Sequence, residues 1–474
     1  MATAAAVGAL SAQERAWTVE DVMTLRSVGD VAMSPGGDWV AYVVSYRDVD
    51  ENENRADLWL SGIDGGTPLR LTRQGHSNRA PSWVPDGSWI AFLSDRDGDT
   101  QVFGIRPTGG EAWRVTHAPS GVSSFAIAPS GDRIAYAAHP GKTDEDAELE
   151  EWRGRPMVWD SAYATDWTHA WVAPLRDGVA GDPERSSPEG LSVVSMVWSP
   201  DSRGLAWSAV GPADGESFGS RDRPTGLSRE ADVFVQDRPG ATPRKLETLP
   251  GSKSVVDWVD GVGLIISGSS RGAGTYNRLL WSVDPAGSSG PVALTEGLDE
   301  HARLVDVLPD GLLVEASHRT GSRLYRIPMR SGRPTGDPEV LTDDELFYGD
   351  FSSTRGGDQV AFVANGPTTP PDVYVSGVSR FAPRRVSEVN PQLPDLAMGE
   401  QRVVRWRSHQ GGEEIEGVLT LPVGYREGDR VPLLLVIHGG PSGVSANTFS
   451  PGGRYPIQVF AGLGYASLQP NYRG

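Results

Sequence analysis

A turn-and-strand unit recurs along the chain and restricts the possible folds more than any other feature of the sequence. The unit is a turn, an apolar strand, a loop, a second strand, a glycine-rich turn and a short strand that ends near Leu-Thr. It first occurs as SPGGDWVAY over Ser34–Tyr42, then ADLWLSGIDGG over Ala56–Gly66 and LRLT over Leu69–Thr72. A second clear copy, WVPDGSWIAFLSDRDG, begins at Trp83. Weaker copies start near Ala128, Ser199, Asp260, Pro309 and Thr354.

These seven units predict a mainly β fold, in the form of a seven-bladed β-propeller with four strands in each blade. The Pro-Gly-Gly and Pro-Asp-Gly turns fit this fold, because proline presets one turn torsion and glycine accepts positive φ. An isolated blade cannot bury both of its faces, whereas a closed ring of blades can. An array of β-sandwiches is the alternative that the pattern leaves open.

Short elements are predicted on both sides of the repeats. Val19–Leu25 has the spacing of a helix, with Thr18 as N-cap and Asp21 three residues further on. After the repeats, Arg402–Trp406 and Ile415–Leu421 predict a hairpin across a Gly-Gly turn. We expect the helix and the hairpin to pack against the part of the chain that follows the repeats.

The last forty residues predict the start of a second kind of domain. Val431–Ile437 reads VPLLLVI, an apolar run that is typical of a parallel strand buried on both faces. It is followed at once by His438-Gly439-Gly440-Pro441, where a glycine pair leaves backbone N–H groups free to face a reacting carbonyl. This is the position of the oxyanion loop in an α/β-hydrolase. A further strand is predicted at Tyr465–Gln469.

The nucleophile of such a domain is not expected within these residues. In an α/β-hydrolase the serine, the acid and the histidine follow the oxyanion loop in that order. Two stretches do match the G-x-S-x-G pattern, around Ser217 and Ser270. A nucleophile elbow needs a buried strand before the serine and a helix after it, and neither stretch has these flanks. We therefore expect neither serine to act as a nucleophile.

Composition excludes several function classes. There are 62 acidic against 43 basic residues, a net charge of −19 that repels phosphate backbones and argues against a nucleic-acid partner. The absence of cysteine excludes disulfides, cysteine catalysis and thiolate metal sites. The eight histidines are scattered, and no phosphate-binding glycine loop is present, so we expect no metal and no cofactor.

Targeting signals are weak. No apolar run approaches the length of a transmembrane helix. The small, apolar stretch Ala2–Ala12 resembles the end of a signal peptide but lacks its basic start, and a disordered N-terminus is the alternative. A periplasmic or secreted location is therefore slightly favoured over a cytoplasmic one.

The order of these features resembles the prolyl oligopeptidase family of serine peptidases, in its acylaminoacyl-peptidase and dipeptidyl-aminopeptidase-like branch. The resemblance rests on VEDVMTLRSVGDVAMSP, the blade turns, PLLLVIHGGPSG and QPNYRG. It implies a possible signal remnant or disordered segment at 1–17, a helix on the hydrolase part at 18–30, a propeller at 31–390, and the incomplete start of an α/β-hydrolase domain at 391–474.

The resemblance also implies a function and site residues. The complete enzyme would be a serine exo- or oligopeptidase for short peptides, with the propeller as a size filter and with Gly439 in the oxyanion hole. His438 and Gly440 would line the site. The 474-residue chain alone would be inactive, and a non-catalytic TolB-like binding propeller is the alternative.

An acidic run, DEDAELEE, offers a second group of site residues. In dipeptidyl-peptidase relatives, propeller glutamates bind the free α-amine of the substrate. The resemblance gives this role to Glu148, Glu150 and Glu151, and a solvated loop is the alternative reading of the run. The sequence fixes neither the bond that is cleaved nor an oligomeric state.

Overall fold

The fold is mainly β in this computed structural model. The structure describes residues 15–140, 167–212, 227–269, 277–298, 300–342, 344, 346–393, 396–409, 411–439, 443–451 and 455–472.

The N-terminal residues form a short strand and a capped helix. Strand β1 (Arg15–Ala16) is followed by helix α1 (Val19–Met23). The Thr18 hydroxyl accepts from the Asp21 backbone N–H, and the Asp21 carboxylate accepts from the Thr18 N–H, which is the predicted capping box. Two Arg15 nitrogens also donate to Asp21, each at 2.6 Å, and this hydrogen bonding lowers the pKa of that carboxyl well below its usual range.

Seven antiparallel sheets then follow one another along the described chain, each built from consecutive strands. The first has β2 (Ser27–Met33), β3 (Trp39–Asp48), β4 (Glu53–Gly62) and β5 (Leu69–Arg70). The second has β6 (Asn78–Trp83), β7 (Ile90–Ser94), β8 (Gln101–Ile105) and β9 (Trp113–Arg114). The third has β10 (Val122–Ile127), β11 (Arg133–Ala138), β12 (His169–Arg176), β13 (Val179–Ala180) and β14 (Glu184–Arg185).

The remaining four sheets repeat this arrangement. The fourth has β15 (Ser192–Trp198), β16 (Leu205–Pro212), β17 (Leu227–Gln236) and β18 (Arg244–Leu246). The fifth has β19 (Lys253–Val259), β20 (Gly263–Gly268), β21 (Leu279–Val283) and β22 (Val292–Ala293). The sixth has β23 (Ala302–Leu308), β24 (Gly311–His318), β25 (Gly321–Arg330), β26 (Arg333–Pro334) and β27 (Glu339–Val340). The seventh has β28 (Phe347–Ser353), β29 (Gln359–Gly366), β30 (Thr369–Gly377) and β31 (Arg384–Arg385).

Each sheet contacts the next, and the series closes on itself where β2 of the first sheet lies against β28 of the seventh. No strand is shared across this seam within the described residues, because both sheets consist of consecutive strands. Side chains join them instead: the Met33 N–H donates to the Ser352 hydroxyl at 2.9 Å. Apolar residues of both sheets, including Tyr42 and Val375, form one buried cluster across the seam. The ring is therefore closed by packing.

The recurring Leu-Thr ending has a structural explanation. Thr72 is only 2 % exposed. Its hydroxyl accepts a hydrogen bond from the Leu58 N–H at 2.9 Å and donates one to the Asp57 carboxylate at 3.0 Å. Thr116, Thr295, Thr342 and Ser387 accept a strand N–H in the same way in other sheets. A hydroxyl at this position therefore satisfies a backbone donor where the short last strand ends.

The residues after the ring form a small mixed sheet. Strand β32 (Leu396–Ala397) pairs in parallel with β1, and β33 (Gln401–Arg407) forms the predicted hairpin with β34 (Glu414–Thr420). Strand β35 (Leu433–Leu435), helix α2 (Ile457–Gly462) and strand β36 (Ala466–Asn471) complete it in the order β33-β34-β36-β35.

The N-terminal segment packs against residues that follow the ring. Trp17, 3 % exposed, shares a buried cluster with Leu393, Leu396 and Val459 of the residues after the ring. Its ring also lies 6.2 Å from that of Phe449. The first and last described segments thus form one body beside the ring.

Candidate active site

The candidate site begins where β35 ends. Strands β35 and β36 are parallel, with Leu435 opposite Leu468, and helix α2 lies between them in sequence. The pairing continues to Val436, whose N–H donates to the Leu468 carbonyl at 2.9 Å. His438 and Gly439 follow directly at the carboxyl end of the strand. In sheets with parallel strands this end is where ligands bind.

The prediction that this strand is buried on both faces is wrong for the described residues. Leu433, Leu435 and Ile437 are each more than half exposed. Strand β35 lies at the edge of its sheet and pairs with β36 alone within the described part of the chain. Its apolar side chains therefore have no cover from these residues.

Gly439 has open space around it. A Cβ atom placed on Gly439 would meet no atom within 4 Å, and the residue is exposed. Within the described residues, no side chain beyond the adjacent positions thus covers the Cβ side of Gly439. Gly440, the other glycine of the predicted loop, lies outside the described residues.

The His438 side chain is held by its neighbours rather than free to act as a base. Its imidazole stacks on the Tyr472 ring, with centroids 4.5 Å apart and planes inclined by 21°. Its Nδ1 lies 3.2 Å from the Gly439 carbonyl oxygen, and its Nε2 is buried without a hydrogen-bond partner in the described structure. The histidine therefore packs against the residues of the loop and of β36.

Two residues at the end of β36 form hydrogen bonds to this loop and to the segment after it. No role is predicted for either residue from the sequence. The Tyr472 hydroxyl donates to the His438 carbonyl at 2.6 Å. The Asn471 side chain accepts from the Ser445 N–H at 2.6 Å and donates to the Ser445 carbonyl at 3.2 Å. The available signal was the NYR sequence directly after a predicted strand, next to the loop in a parallel sheet.

The segment that follows the site is hydrogen-bonded to the ring of sheets. The Asn447 N–H donates to the Thr320 carbonyl at 2.8 Å, and the Phe449 N–H donates to the Asn365 side chain at 3.1 Å. Thr320 and Asn365 lie at the ends of strands in the sixth and seventh sheets. The segment after the loop is therefore anchored on two neighbouring sheets of the ring.

Charged groups reinforce the same junction. Arg319, in the turn before β25, donates to Glu416 of β34 at 2.6 Å and to Glu414 at 3.1 Å. Arg405 of β33 donates to the same Glu416 at 2.7 Å. These bonds raise the pKa of the Arg319 guanidinium, while burial and the neighbouring guanidinium groups lower the pKa of His318. His318 therefore loses its proton more readily than an ordinary histidine, because burial and the positive charges beside it disfavour the charged form.

The other predicted site residues cannot be placed. Glu148, Glu150 and Glu151 lie outside the described residues, as do Ser217 and Ser270. The structure brings none of them to the loop of His438.

A serine–histidine pair elsewhere has a structural role. His169 Nδ1 lies 3.3 Å from the Ser187 hydroxyl, and both residues are buried in the third sheet. The same hydroxyl accepts from the Ala170 N–H at 3.0 Å, as the Thr72 hydroxyl does from Leu58. Ser187 therefore has the same role as Thr72: its hydroxyl satisfies a backbone N–H near the last strand of its sheet.

Across the described ranges, no group of three or more His, Asp or Glu side chains is arranged to hold a metal ion. Within the same ranges, no helix combines the length and the apolar character needed to cross a bilayer.

Comparison with known proteins gives matches of sequence and of structure. Residues 18–151 match the family model of the TolB beta propeller domain. The chain is 24 % identical over 481 residues to dipeptidyl-peptidase 5 of Porphyromonas gingivalis, covering 96 % of this chain and 68 % of the relative. The chain thus spans about two thirds of the length of that peptidase.

Solved structures agree on the fold. Pyrococcus horikoshii acylaminoacyl peptidase superposes with a TM-score of 0.71 at 16 % identity, covering 95 % of this chain and 66 % of that protein. A second match is the β-propeller domain of the Trilobed protease from Pyrococcus furiosus, which is described as having an open velcro topology. It superposes with a TM-score of 0.54 at 11 % identity, and the match covers 77 % of this chain and 96 % of that domain.

The ring of sheets, the TolB-type match and the superposition on a known propeller define a β-propeller protein. Its similarity to dipeptidyl-peptidase 5 in sequence and to acylaminoacyl peptidase in fold supports a place in the prolyl oligopeptidase family.

Proposed function

We propose that the chain supplies the propeller and the first strands of the catalytic domain of a serine peptidase that hydrolyses short peptides. The observation that carries the proposal is the exposed Gly439 at the carboxyl end of β35, a few residues before a segment that is hydrogen-bonded to the propeller. A backbone donor there suits the oxyanion of a tetrahedral intermediate, and one such donor contributes about 3–4 kcal/mol in the transition state.

The proposal includes the architecture. The seven sheets are the blades of one propeller over 31–390, and residues 391–474 open an α/β-hydrolase domain. Strand β35, helix α2 and parallel strand β36 support the second assignment, because this crossover is the unit of α/β sheets.

The propeller is proposed to act as a size filter. Strands β2, β6 and β28 border a cavity of about 420 Å³ where their innermost residues meet. A space of this size accommodates an extended peptide and excludes a folded protein, since small-molecule pockets are of the same order of volume.

The test of the activity uses the full-length protein. Aminoacyl, dipeptidyl and N-acyl-aminoacyl chromogenic substrates are expected to be turned over, and a fluorophosphonate is expected to label a serine. In an α/β-hydrolase the nucleophile follows the oxyanion loop. The label is therefore expected on neither Ser217 nor Ser270, and a polypeptide limited to residues 1–474 is expected to show no turnover.

The outcomes separate this function from a TolB-like binding propeller, which the family match at residues 18–151 also permits. Turnover with a labelled serine beyond the oxyanion loop supports the peptidase. Labelling of Ser217 or Ser270, or absence of turnover with all three substrate classes, contradicts it.

The acidic run is proposed to bind the substrate amine. Glu→Gln changes at Glu148, Glu150 and Glu151 are expected to weaken substrates with a free N-terminus roughly ten- to hundredfold, the value of a charge-assisted hydrogen bond. N-acylated substrates serve as the control and should change far less. Equal effects on both substrate types would leave a solvated loop.

A further inference from the structure

We propose that Tyr472 is a positioning residue that aims the Gly439 N–H into the oxyanion hole. The inference rests on the proposed function and assigns a role to a residue that does not itself touch the reacting atoms. Its basis is a single hydrogen bond, from the Tyr472 hydroxyl to the His438 carbonyl oxygen at 2.6 Å.

The geometry of the peptide unit links this bond to catalysis. The His438 carbonyl and the Gly439 N–H belong to one peptide group, which is planar. The described chain contains no cis peptide bond, so this group is trans and its C=O and N–H point in opposite directions. A hydrogen bond that fixes the carbonyl therefore fixes the direction of the N–H as well.

Little else restrains this peptide group. A Cβ added to Gly439 would meet no atom of the described residues within 4 Å, apart from the adjacent positions, so no packing against a side chain at this position helps to set the orientation. Glycine also has the widest choice of backbone torsions, so a free peptide group here would turn easily. The bond from Tyr472 thus supplies an orientation that the sequence of the loop does not.

The tyrosine is itself well placed to hold a fixed position. It follows β36 directly, and the neighbouring Asn471 makes two hydrogen bonds to Ser445. Its ring stacks on the His438 imidazole. Strand, stacking and hydrogen bond together fix the hydroxyl relative to the loop before any substrate binds.

The first test observes the peptide group directly. Histidine is followed by glycine at one place in the sequence, 438–439. Labelling of the full chain with ¹³C-carbonyl histidine and ¹⁵N-glycine therefore gives one correlated NMR signal from this peptide group among these residues. Tyr472→Phe keeps the ring and removes the hydroxyl, and it is expected to shift the carbonyl signal upfield.

A matched control is available on the other side of the same strand. Tyr465 precedes β36, is 37 % exposed, and its ring packs against Phe460. Tyr465→Phe is expected to leave the His–Gly signal unchanged. An unchanged signal in Tyr472→Phe, or an equal shift in both variants, would overturn the inference whether or not the protein is a peptidase.

The second test reads the consequence for catalysis. Removing an oxyanion donor costs about 10²–10³ in kcat, and a donor that is present but no longer aimed should cost less, about tenfold. Tyr472→Phe is expected to lower kcat by that factor with KM unchanged, and to weaken a peptidyl boronate in the same proportion. A kcat within twofold of the parent, or a rise in KM alone, contradicts the role. Absence of turnover in the parent protein would instead refute the proposed function, and the NMR signal would still decide the orientation.

Discussion

The Arg319 guanidinium and the Glu416 carboxylate lie 2.6 Å apart and join the sixth blade to the hairpin after the propeller. The Glu416 side chain is 10 % exposed and also accepts from Arg405, whereas the Arg319 side chain is half exposed. One nearly buried carboxylate therefore balances two cations at the junction between the two parts of the molecule.

The first prediction concerns this junction. Glu416→Gln leaves Arg405 without this anion and Arg319 with Glu414 alone, so the free energy of unfolding should fall by about 1 kcal/mol or somewhat more. Thermal unfolding at low and high salt measures it. Glu400→Gln is the control, because Glu400 pairs with Arg402 on the exposed surface of the same region. An equal effect of both variants would contradict a special role for the junction.

The second prediction concerns the hydroxyl groups that end the blades. Thr72→Val removes a buried acceptor and leaves the Leu58 N–H and the Asp57 carboxylate without that partner, which should cost about 1–3 kcal/mol. Thr248, close to the end of the fourth blade, has a buried hydroxyl with no partner in the described structure. Thr248→Val should therefore be neutral or stabilising. Urea unfolding compares the two, and equal losses would refute the explanation.

The third prediction concerns a buried acid in the sixth blade. Glu315 is 3 % exposed, one of its carboxylate oxygens has no partner in the described structure, and the other lies 3.3 Å from Arg303. Burial raises the pKa of Glu315, the Arg303 charge opposes that rise, and repulsion from Asp350 adds to it. Ionisation of Glu315 is therefore less favourable in the folded state than in the unfolded chain.

At pH 7.5 the free energy of unfolding of Glu315→Gln should therefore be at least that of the parent, and at most about 1 kcal/mol higher. Because the folded pKa is raised, the parent regains stability as pH falls through that pKa toward the unfolded value. The difference between variant and parent should therefore shrink on acidification. Chemical unfolding across this range measures it, with the exposed Glu111→Gln as control. A difference that widens at low pH would contradict the prediction.

The fourth prediction concerns the edge strand. Leu433, Leu435 and Ile437 present apolar side chains on an unpaired strand edge, a combination that favours self-association. A polypeptide of residues 1–474 is expected to bind hydrophobic dye and to form aggregates, whereas one ending near Gln392 should be monomeric. Light scattering after size exclusion compares them. Replacing the three residues with threonine should reduce dye binding, and Val179→Thr, a single exposed site, should not. A monodisperse, dye-silent 474-residue polypeptide would contradict the prediction.

Three strands of each blade could be predicted from the sequence, but the first could not. Strand β6 reads NRAPSW, contains a proline, and has a bulge between Arg79 and Ser82. Ala80 takes a φ of +52° at that bulge, and Asp30 and Asp350 take similar values in their own blades. Aspartate tolerates positive φ, but no propensity rule places alanine there, because the bulge imposes the conformation on these first strands.

The candidate site divides in the same way. Gly439 could be predicted because an apolar run and a glycine pair are local features of the sequence. The role of Tyr472 could not, since its hydrogen bond depends on the parallel register that sets Leu435 opposite Leu468. A contact between residues 34 positions apart follows from that register, which the sequence does not specify.

The seam between the first and seventh sheets has a consequence for how the chain reaches its final form. Every blade consists of consecutive strands, so its hydrogen bonds can form between residues close in sequence. The bond from Met33 to Ser352 instead spans 319 positions, and that between Arg26 and Asn390 spans 364. Closing so long a loop is entropically costly and slow compared with forming a blade. The ring should thus assemble blade by blade, with the joining of its two ends as the last and slowest event.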